Sequence, residues 1–224
     1  MYIIDDASTD NTVKVAVKTS NGDPRIKILR NKKNTGVVFN QTSNFVHHAK
    51  PNDEDVIVTL DGDDYLINAQ VLSHLKQIYS KGYWLTYGGI DHSPLTQHPK
   101  EYYTEINWSV SLRSQTFCLS HLRSHKFFLL KNIKSVDLKD KEKNFFKFGV
   151  DVALCIPMAE MAGKNKCFHI KDKLYYYRLH NNNVHKSSEK NKKRGEHIQG
   201  DLSFRTPYKK KTKDELINWE CDWP

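Results

Sequence analysis

Short apolar runs alternate with amphipathic stretches along the first ninety residues. Continuous runs of β-branched and apolar side chains, bounded by turn-forming residues, predict strands. These strands are expected at residues 1–5, 25–29, 56–60 and 83–90. Apolar side chains at helical spacing predict helices at residues 12–19, 37–49 and 68–81. This alternation predicts an α/β fold with a mostly parallel sheet flanked by helices, in which residues 56–60 form a buried parallel strand.

The second half of the chain is less regular. A polar, proline-containing stretch at residues 92–107 predicts a long surface loop. Helices are expected at residues 122–133 and 151–162, the second kinked or cut short at Pro157, and a tyrosine-rich strand is expected at residues 173–179. We therefore expect one domain over residues 1–185, with an irregular later part, followed by a basic extension at 186–224. A few apolar residues in that extension would allow it to dock back as an arm.

Three carboxylates follow the strand at residues 56–60 within four positions. They are Asp61, Asp63 and Asp64. Ligands of open α/β sheets gather at the carboxyl ends of strands. Side chains alternate along an extended chain, so Asp61 and Asp63 point to the same side. Hard oxygen ligands suit Mg²⁺ or Mn²⁺, while the simpler interpretation is an acidic turn that ends the strand.

Composition indicates the size of the core and the cellular compartment. The 224 residues have 38% hydrophobic content, enough for one substantial core, and contain no apolar run of 18 residues and no signal-peptide pattern. The cysteines lack metal-ligand or disulfide-framework spacing, which is typical of reduced thiols. They are Cys118, Cys155, Cys167 and Cys221. These features favour a cytoplasmic location.

The formal net charge of +9 indicates an anionic partner, and much of it lies in lysine-rich runs after residue 185. No aromatic side chains are interleaved with those runs, so specific nucleic-acid binding is disfavoured. Clustered lysines favour peripheral contact with an anionic membrane surface. The alternative is a solvated basic tail. The oligomeric state is not encoded in any of these patterns.

Five sequence blocks carry a resemblance to a known family. In chain order they read IIDDASTDNT, NTG, VTLDGDDYL, FGVDVALCIPMAEMAG and YYYRLH. Their order and spacing over residues 2–183 resemble the signature blocks of family 2 glycosyltransferases, which adopt the GT-A fold. The resemblance implies a nucleotide-sugar-binding half at residues 1–90 and an acceptor and catalytic half at 91–185. The family usually has one more strand and helix before the first block, so we expect an open sheet position, or one filled by another segment such as the C-terminal arm.

The resemblance implies a metal-dependent, inverting glycosyltransferase. Such an enzyme moves a sugar from a nucleoside diphosphate, here expected to be UDP, to a hydroxyl of a glycan, lipid or protein, with Mn²⁺ or Mg²⁺ as cofactor. A degenerate, non-catalytic GT-A module that binds sugar or a partner protein is the alternative. A nucleotidyltransferase is disfavoured because the chain has no glycine-rich phosphate loop.

The resemblance also assigns roles on the donor side. Asp5 and Asp6 would hold the uracil and ribose, unless one of them only caps the next helix. Asp63 would coordinate the metal directly, and Asp61 would contact the ribose or a metal-bound water. Asp64 matches a carboxylate common in the family, or has only a structural role in the turn. Gln41 stands where many members have an arginine, and it can hydrogen-bond to the nucleotide but cannot neutralise phosphate.

Three further assignments concern the later blocks. Asp151 would be the general base that takes the acceptor proton, or else a simple helix N-cap. His180 would add a metal or diphosphate contact, with His185 as a competing candidate. Arg123 or His121 would meet donor phosphates or acceptor hydroxyls.

Overall fold

The computed structural model describes residues 1–92, 104–146, 149–178 and 205–223. The strands are β1 (Tyr2–Asp5), β2 (Lys27–Arg30), β3 (Val56–Thr59), β4 (Tyr65–Leu66), β5 (Leu85–His92), β6 (Arg123–Lys126) and β7 (Cys167–Tyr177). The helices are α1 (Thr12–Ser20), α2 (Val37–Phe39), α3 (Phe45–Ala49), α4 (Val71–Ser80), α5 (Phe127–Lys131), α6 (Val150–Ala162) and α7 (Lys213–Ile217), with a π-helical turn, Asn40–Asn44, between α2 and α3.

The strands form two sheets, and the larger one is mixed. β1 and β2 form a parallel pair, whereas the other five strands lie in the order β3-β6-β5-β7-β4. In that sheet only β5 and β7 are parallel neighbours, and the other three pairings are antiparallel. The expectation of an α/β fold with a sheet flanked by helices was therefore confirmed, except that the larger sheet is mixed rather than mostly parallel. It assumed that every strand returns through a helix, but residues 104–122 contain no helix and bring the chain back in the opposite direction.

The strand β6 replaces the first turn of a predicted helix. The helix expected at residues 122–133 begins only at Phe127, and the four residues before it form a strand between β3 and β5. Its polar side chains find partners far away in the chain, since the Ser124 hydroxyl lies 2.6 Å from that of Thr86 and 2.9 Å from that of Tyr79. The local pattern of apolar and polar residues cannot predict contacts between residues so far apart in the sequence.

The strand β3 lies at an edge, not in the middle of a parallel sheet. Within the described ranges it pairs only with antiparallel β6, and its four residues are half-buried. β1 likewise pairs only with β2. The C-terminal arm, which we define as residues 205–223, adds no strand to either edge in the described chain.

The C-terminal arm packs on the domain through the short helix α7. Leu216 is fully buried in the core formed with α5 and α6. The Asn132 side-chain amide donates to the Leu216 carbonyl at 2.8 Å, and the Trp223 indole donates to the Ile133 carbonyl at 2.7 Å. The arm therefore docks back onto the domain.

The helix α6 is mostly apolar and lies in the core, with all of its residues buried except Asp151 and Glu160. It continues past Pro157 to Ala162, so the proline does not cut it short. Gly149 precedes it with φ of 65°, a left-handed conformation that favours glycine. Nowhere in the described chain is a helix both long enough and apolar enough to cross a membrane.

Candidate active site

The turn after β3 divides its carboxylates between two surroundings. Asp64 faces inward, where the Tyr175 hydroxyl donates to it at 2.5 Å and the Arg178 backbone N–H at 2.9 Å. Burial raises the pKa of Asp64 in spite of these two hydrogen bonds. These contacts give Asp64 a structural role in the turn and leave Asp61 and Asp63 as candidate ligands.

Asp61 lies beside two basic side chains. Its Oδ2 atom is 3.1 Å from Nε2 of His121 and 4.0 Å from Nη2 of Arg123. Burial alone would raise the pKa of Asp61, but the His121 hydrogen bond and the Arg123 charge outweigh that effect and lower it. The imidazole is itself stacked on the Tyr175 ring at 4.8 Å. Asp61 is therefore held as an oriented carboxylate.

Asp61 and Asp63 supply carboxylate oxygens, the type of ligand that a hard divalent cation takes. Among the described residues, no group of three or more His, Cys, Asp or Glu side chains is placed to hold a metal by itself. Mg²⁺ and similar ions commonly take one or two carboxylates and fill the remaining positions with phosphate oxygens and water. His180 and His185 lie outside the described residues.

Asp151 lies in the first turn of α6 and forms an ion pair with Arg123. Its Oδ1 atom is 2.5 Å from Nη1 of Arg123, whose side chain is only 8% exposed, while the Asp151 side chain is 43% exposed. Gly149 occupies the N-cap position, so the interpretation of Asp151 as a simple N-cap was wrong. A carboxylate fixed on one side and open to solvent on the other can accept a proton from a bound molecule.

Asp6 anchors the loop that follows β2. Its carboxylate accepts hydrogen bonds from the backbone N–H of Thr35 at 2.8 Å and of Gly36 at 2.9 Å, and from the Asn31 side-chain amide at 2.8 Å. Burial opposes ionisation, but these hydrogen bonds together lower the pKa of Asp6. It does not cap α1, whose first N–H is instead bound by Asp10 at 2.9 Å.

Asp5 is buried and keeps one oxygen without a partner. Its Oδ2 atom accepts from the Ser8 backbone N–H at 3.2 Å and lies 3.5 Å from Nε of Arg30. Its Oδ1 atom has no hydrogen-bond partner among the described residues. Buried polar atoms are nearly always satisfied, so this oxygen is a candidate to accept a further hydrogen bond.

A cluster of asparagines beside Asp6 was not predicted from the sequence. The Asn31 amide donates to Oδ1 of Asn40 at 2.8 Å, and the Asn44 amide donates to Oδ1 of Asn31 at 2.9 Å. Asn40 and Asn44 belong to the π-helical turn, a feature frequent at functional sites, which also carries half-buried Gln41. The spacing of four residues between the two asparagines was the available signal.

Two groups of carboxylates are thus held by polar partners: Asp61 and Asp151 face the buried Arg123, and Asp6 contacts the asparagine cluster. The family model for glycosyl transferase family 2 matches residues 1–136. The chain belongs to glycosyl transferase family 2. Asp151 lies beyond the matched segment, so its role depends on the geometry described above.

Solved structures show the fold of this family 2 chain. The crystal structure of residues 1–349 of S. aureus TarS in complex with UDP-GlcNAc matches with a TM-score of 0.62 and 16% identity, covering 96% of this chain and 60% of that one. A structure of GalNAc-T7 with UDP, GalNAc and Mn²⁺ matches with a TM-score of 0.53 and 14% identity, covering 88% of this chain and 40% of that one. A search of curated proteins finds no match. The fold is the GT-A fold with a mixed sheet, and the chain spans about 60% of the length of the TarS fragment.

Proposed function

We propose that this chain transfers a sugar from a UDP-linked donor to a hydroxyl acceptor, with inversion at the anomeric carbon. The observation that carries the proposal is the continuous series of contacts from Asp61 through His121 and Arg123 to Asp151. It brings the donor-side turn after β3 together with a partly exposed carboxylate on α6. The TarS and GalNAc-T7 structures, which contain UDP-GlcNAc and UDP respectively, support the choice of nucleotide.

The nucleoside end of the donor would lie against Asp5. Its unpaired buried oxygen suits the imide N–H of uracil or a ribose hydroxyl, both of which donate hydrogen bonds. Asp6 would act mainly by holding the loop after β2 in place, because its oxygens already accept from that loop. Gln41 is placed in the adjoining π-helical turn, where its amide would add a hydrogen bond to the nucleotide.

The diphosphate would lie beside Asp63 and Asp61. These two carboxylates would hold Mn²⁺ or Mg²⁺, which neutralises charge on a departing nucleoside diphosphate. A contact between His180 and the metal or the diphosphate stays a prediction. A contact between Arg123 and the donor phosphates also stays a prediction, although the guanidinium already faces Asp61 and Asp151.

Asp151 would be the general base. As the acceptor oxygen forms its bond to the anomeric carbon and the bond from that carbon to the diphosphate breaks, the hydroxyl proton would move to the carboxylate oxygen of Asp151 that does not face Arg123. The exposure of this side chain supports access by an acceptor. Base catalysis of this kind contributes about 10²- to 10⁴-fold to a rate.

The acceptor class stays open among glycans, lipids and proteins. Peripheral contact of the basic extension with an anionic membrane surface, and a cytoplasmic location, stay predictions. The exposed lysines Lys209 and Lys210 on the docked arm support the first of them.

A donor screen tests the proposal. We expect UDP-sugars, but not GDP- or dTDP-sugars, to be hydrolysed in the presence of Mn²⁺, and EDTA to stop the reaction. Asp63→Asn and Asp151→Asn should each lower the rate by about 100-fold or more. Asp172→Asn, which changes an exposed carboxylate on β7, is the matched control and should leave the rate unchanged. UDP binding without release of UDP from any sugar donor would instead indicate a non-catalytic binding module.

A further inference from the structure

Arg123 contacts the carboxylates of two different segments with one buried guanidinium. It is the first residue of β6, which lies between β3 and β5 in the sheet. Its Nη1 atom is 2.5 Å from Oδ1 of Asp151, while its Nη2 atom is 2.5 Å from Nε2 of His121 and 4.0 Å from Oδ2 of Asp61. The turn after β3 and the first turn of α6 are therefore both fixed against the same planar group.

The electrostatics of Arg123 favour a role in orientation over one in stability. Burial alone would lower the pKa of the guanidinium, but the negative charge of Asp151 raises it, so the group stays protonated. Removing a cation from water is expensive, and buried ion pairs contribute little net stability compared with well-packed apolar residues. What a planar guanidinium offers, and a lysine ammonium does not, is a rigid fork that can face two carboxylates at once.

We propose that Arg123 is a positioning residue that sets the distance and orientation between the donor-side carboxylate Asp61 and the acceptor-side carboxylate Asp151. This inference rests on the proposed function. By fixing Oδ1 of Asp151, Arg123 leaves the other oxygen of that carboxylate to receive the acceptor proton. Its Nη2 atom lies against His121 and faces Oδ2 of Asp61 at 4.0 Å, so it also orients the side of the site where the donor diphosphate would be bound.

The chain contains a matched control on the same helix. Arg113 and Glu160 form a second buried ion pair, with distances of 2.7 Å from Nε and from Nη2 of Arg113 to the Glu160 carboxylate. Glu160 lies nine residues after Asp151 on α6, about 14 Å along the helix axis. Arg113 also donates to the Arg205 carbonyl in the C-terminal arm at 3.1 Å, so this pair fastens the arm and not the site.

The test compares Arg123→Lys with Arg113→Lys in the full chain. Both variants keep a buried positive charge but lose the planar guanidinium, which can contact two groups at once. We expect Arg123→Lys to lower kcat for UDP-sugar hydrolysis by about 10- to 100-fold, the loss associated with a misplaced catalytic group, while KM for the donor changes less than about threefold. Arg113→Lys should leave kcat unchanged per folded molecule. In an Asp151→Asn background, Arg123→Lys should cause a smaller loss than in the wild type, because the part of its effect that acts through Asp151 is already gone.

Chemical rescue of the larger substitution Arg123→Ala provides a second test of the proposal. Arg123→Ala leaves a cavity beside Asp151, and millimolar guanidine should restore part of its activity, whereas it should not restore Asp151→Asn. Unchanged kcat in Arg123→Lys, or equal losses in Arg123→Lys and Arg113→Lys, would overturn the positioning role alone. A wild-type chain that releases no UDP from any UDP-sugar would instead contradict the proposed function, and this inference with it.

Discussion

Truncating Leu216 measures how firmly the C-terminal arm belongs to the fold. The side chain is 0% exposed and packs into the core built by α5 and α6. The backbone at this point is fixed, since the Leu216 carbonyl accepts from Asn132 and the next carbonyl, that of Ile217, accepts from Lys131, both at 2.8 Å. Leu216→Ala would leave a cavity that these fixed neighbours cannot readily fill.

The expected cost follows from that burial. Leu→Ala changes at fully buried sites lower the free energy of unfolding by about 2–5 kcal/mol. For a chain of this length each 1 kcal/mol shifts Tm by about 2–4 °C, so a loss of about 3 kcal/mol corresponds to about 6–12 °C. If only the arm detaches, the cost is limited to its docking free energy, and the lysines at 209–211 become sites of rapid tryptic cleavage.

Urea unfolding and limited trypsin digestion of Leu216→Ala provide the two readouts. Leu72→Ala is the matched control, because Leu72 is 57% exposed on α4 and the same change there should stay within about 0.5 kcal/mol. A midpoint for Leu216→Ala equal to that of the wild type, together with unchanged cleavage, would refute the docking of the arm.

Three further changes test buried polar groups, each by urea unfolding. Burial lowers the pKa of His125 to about 4, below its ordinary value of 6.5. Between pH 6.5 and about 4 the unfolded chain therefore binds more protons than the folded chain, so the free energy of unfolding decreases as the pH drops through this range. His125→Gln should make that decrease smaller. Asp6 has a lowered pKa, so its contribution is complete above its ordinary pKa of 3.8 and is lost as pH falls further. At pH 7, Asp6→Asn should cost about 1–3 kcal/mol, because an amide cannot accept all the hydrogen bonds that the carboxylate accepts. Tyr175→Phe should cost about 1–3 kcal/mol, because Asp64 loses the hydroxyl that donates to it at 2.5 Å.

Each of these changes has an outcome that contradicts the reasoning. An unchanged slope of stability between pH 6.5 and 4 in His125→Gln would show that this imidazole is not buried as a neutral group. For Asp6→Asn and Tyr175→Phe, the contradicting result is wild-type stability at pH 7. That result would mean that water replaces the lost hydrogen bonds and that the two contacts do not hold the turn and the loop in place.

Local patterns were sufficient where an element's neighbours are close in the sequence. The helices α1, α4 and α6 were predicted to within about three residues at each end, because their apolar spacing and terminal glycines are local signals. The acidic turn after β3 was likewise visible, since three carboxylates after an apolar run are unusual in themselves. The hydrogen bond from Tyr175 that ties Asp64 into this turn was not visible, because Tyr175 lies 111 positions away in the chain.

Sequence patterns could not predict the strand that carries Arg123. Its residues, RSHK, have neither apolar alternation nor a continuous apolar run, and they are buried only because β3 and β5 lie on both sides. The ion pair with Asp151 joins residues 28 positions apart on a strand and a helix, so no local rule predicts it. The resemblance placed Arg123 near the site, but its contacts come from the tertiary structure.

Calorimetric titration of UDP with and without Mn²⁺ tests most directly whether this chain binds a nucleotide donor through the turn after β3. We predict binding that weakens at least about tenfold when EDTA replaces Mn²⁺, and the same loss in Asp63→Asn with Mn²⁺ present, while the exposed-carboxylate control Asp172→Asn binds as the wild type does. Equal affinity with and without the metal, or no binding of UDP by the folded chain, would contradict it.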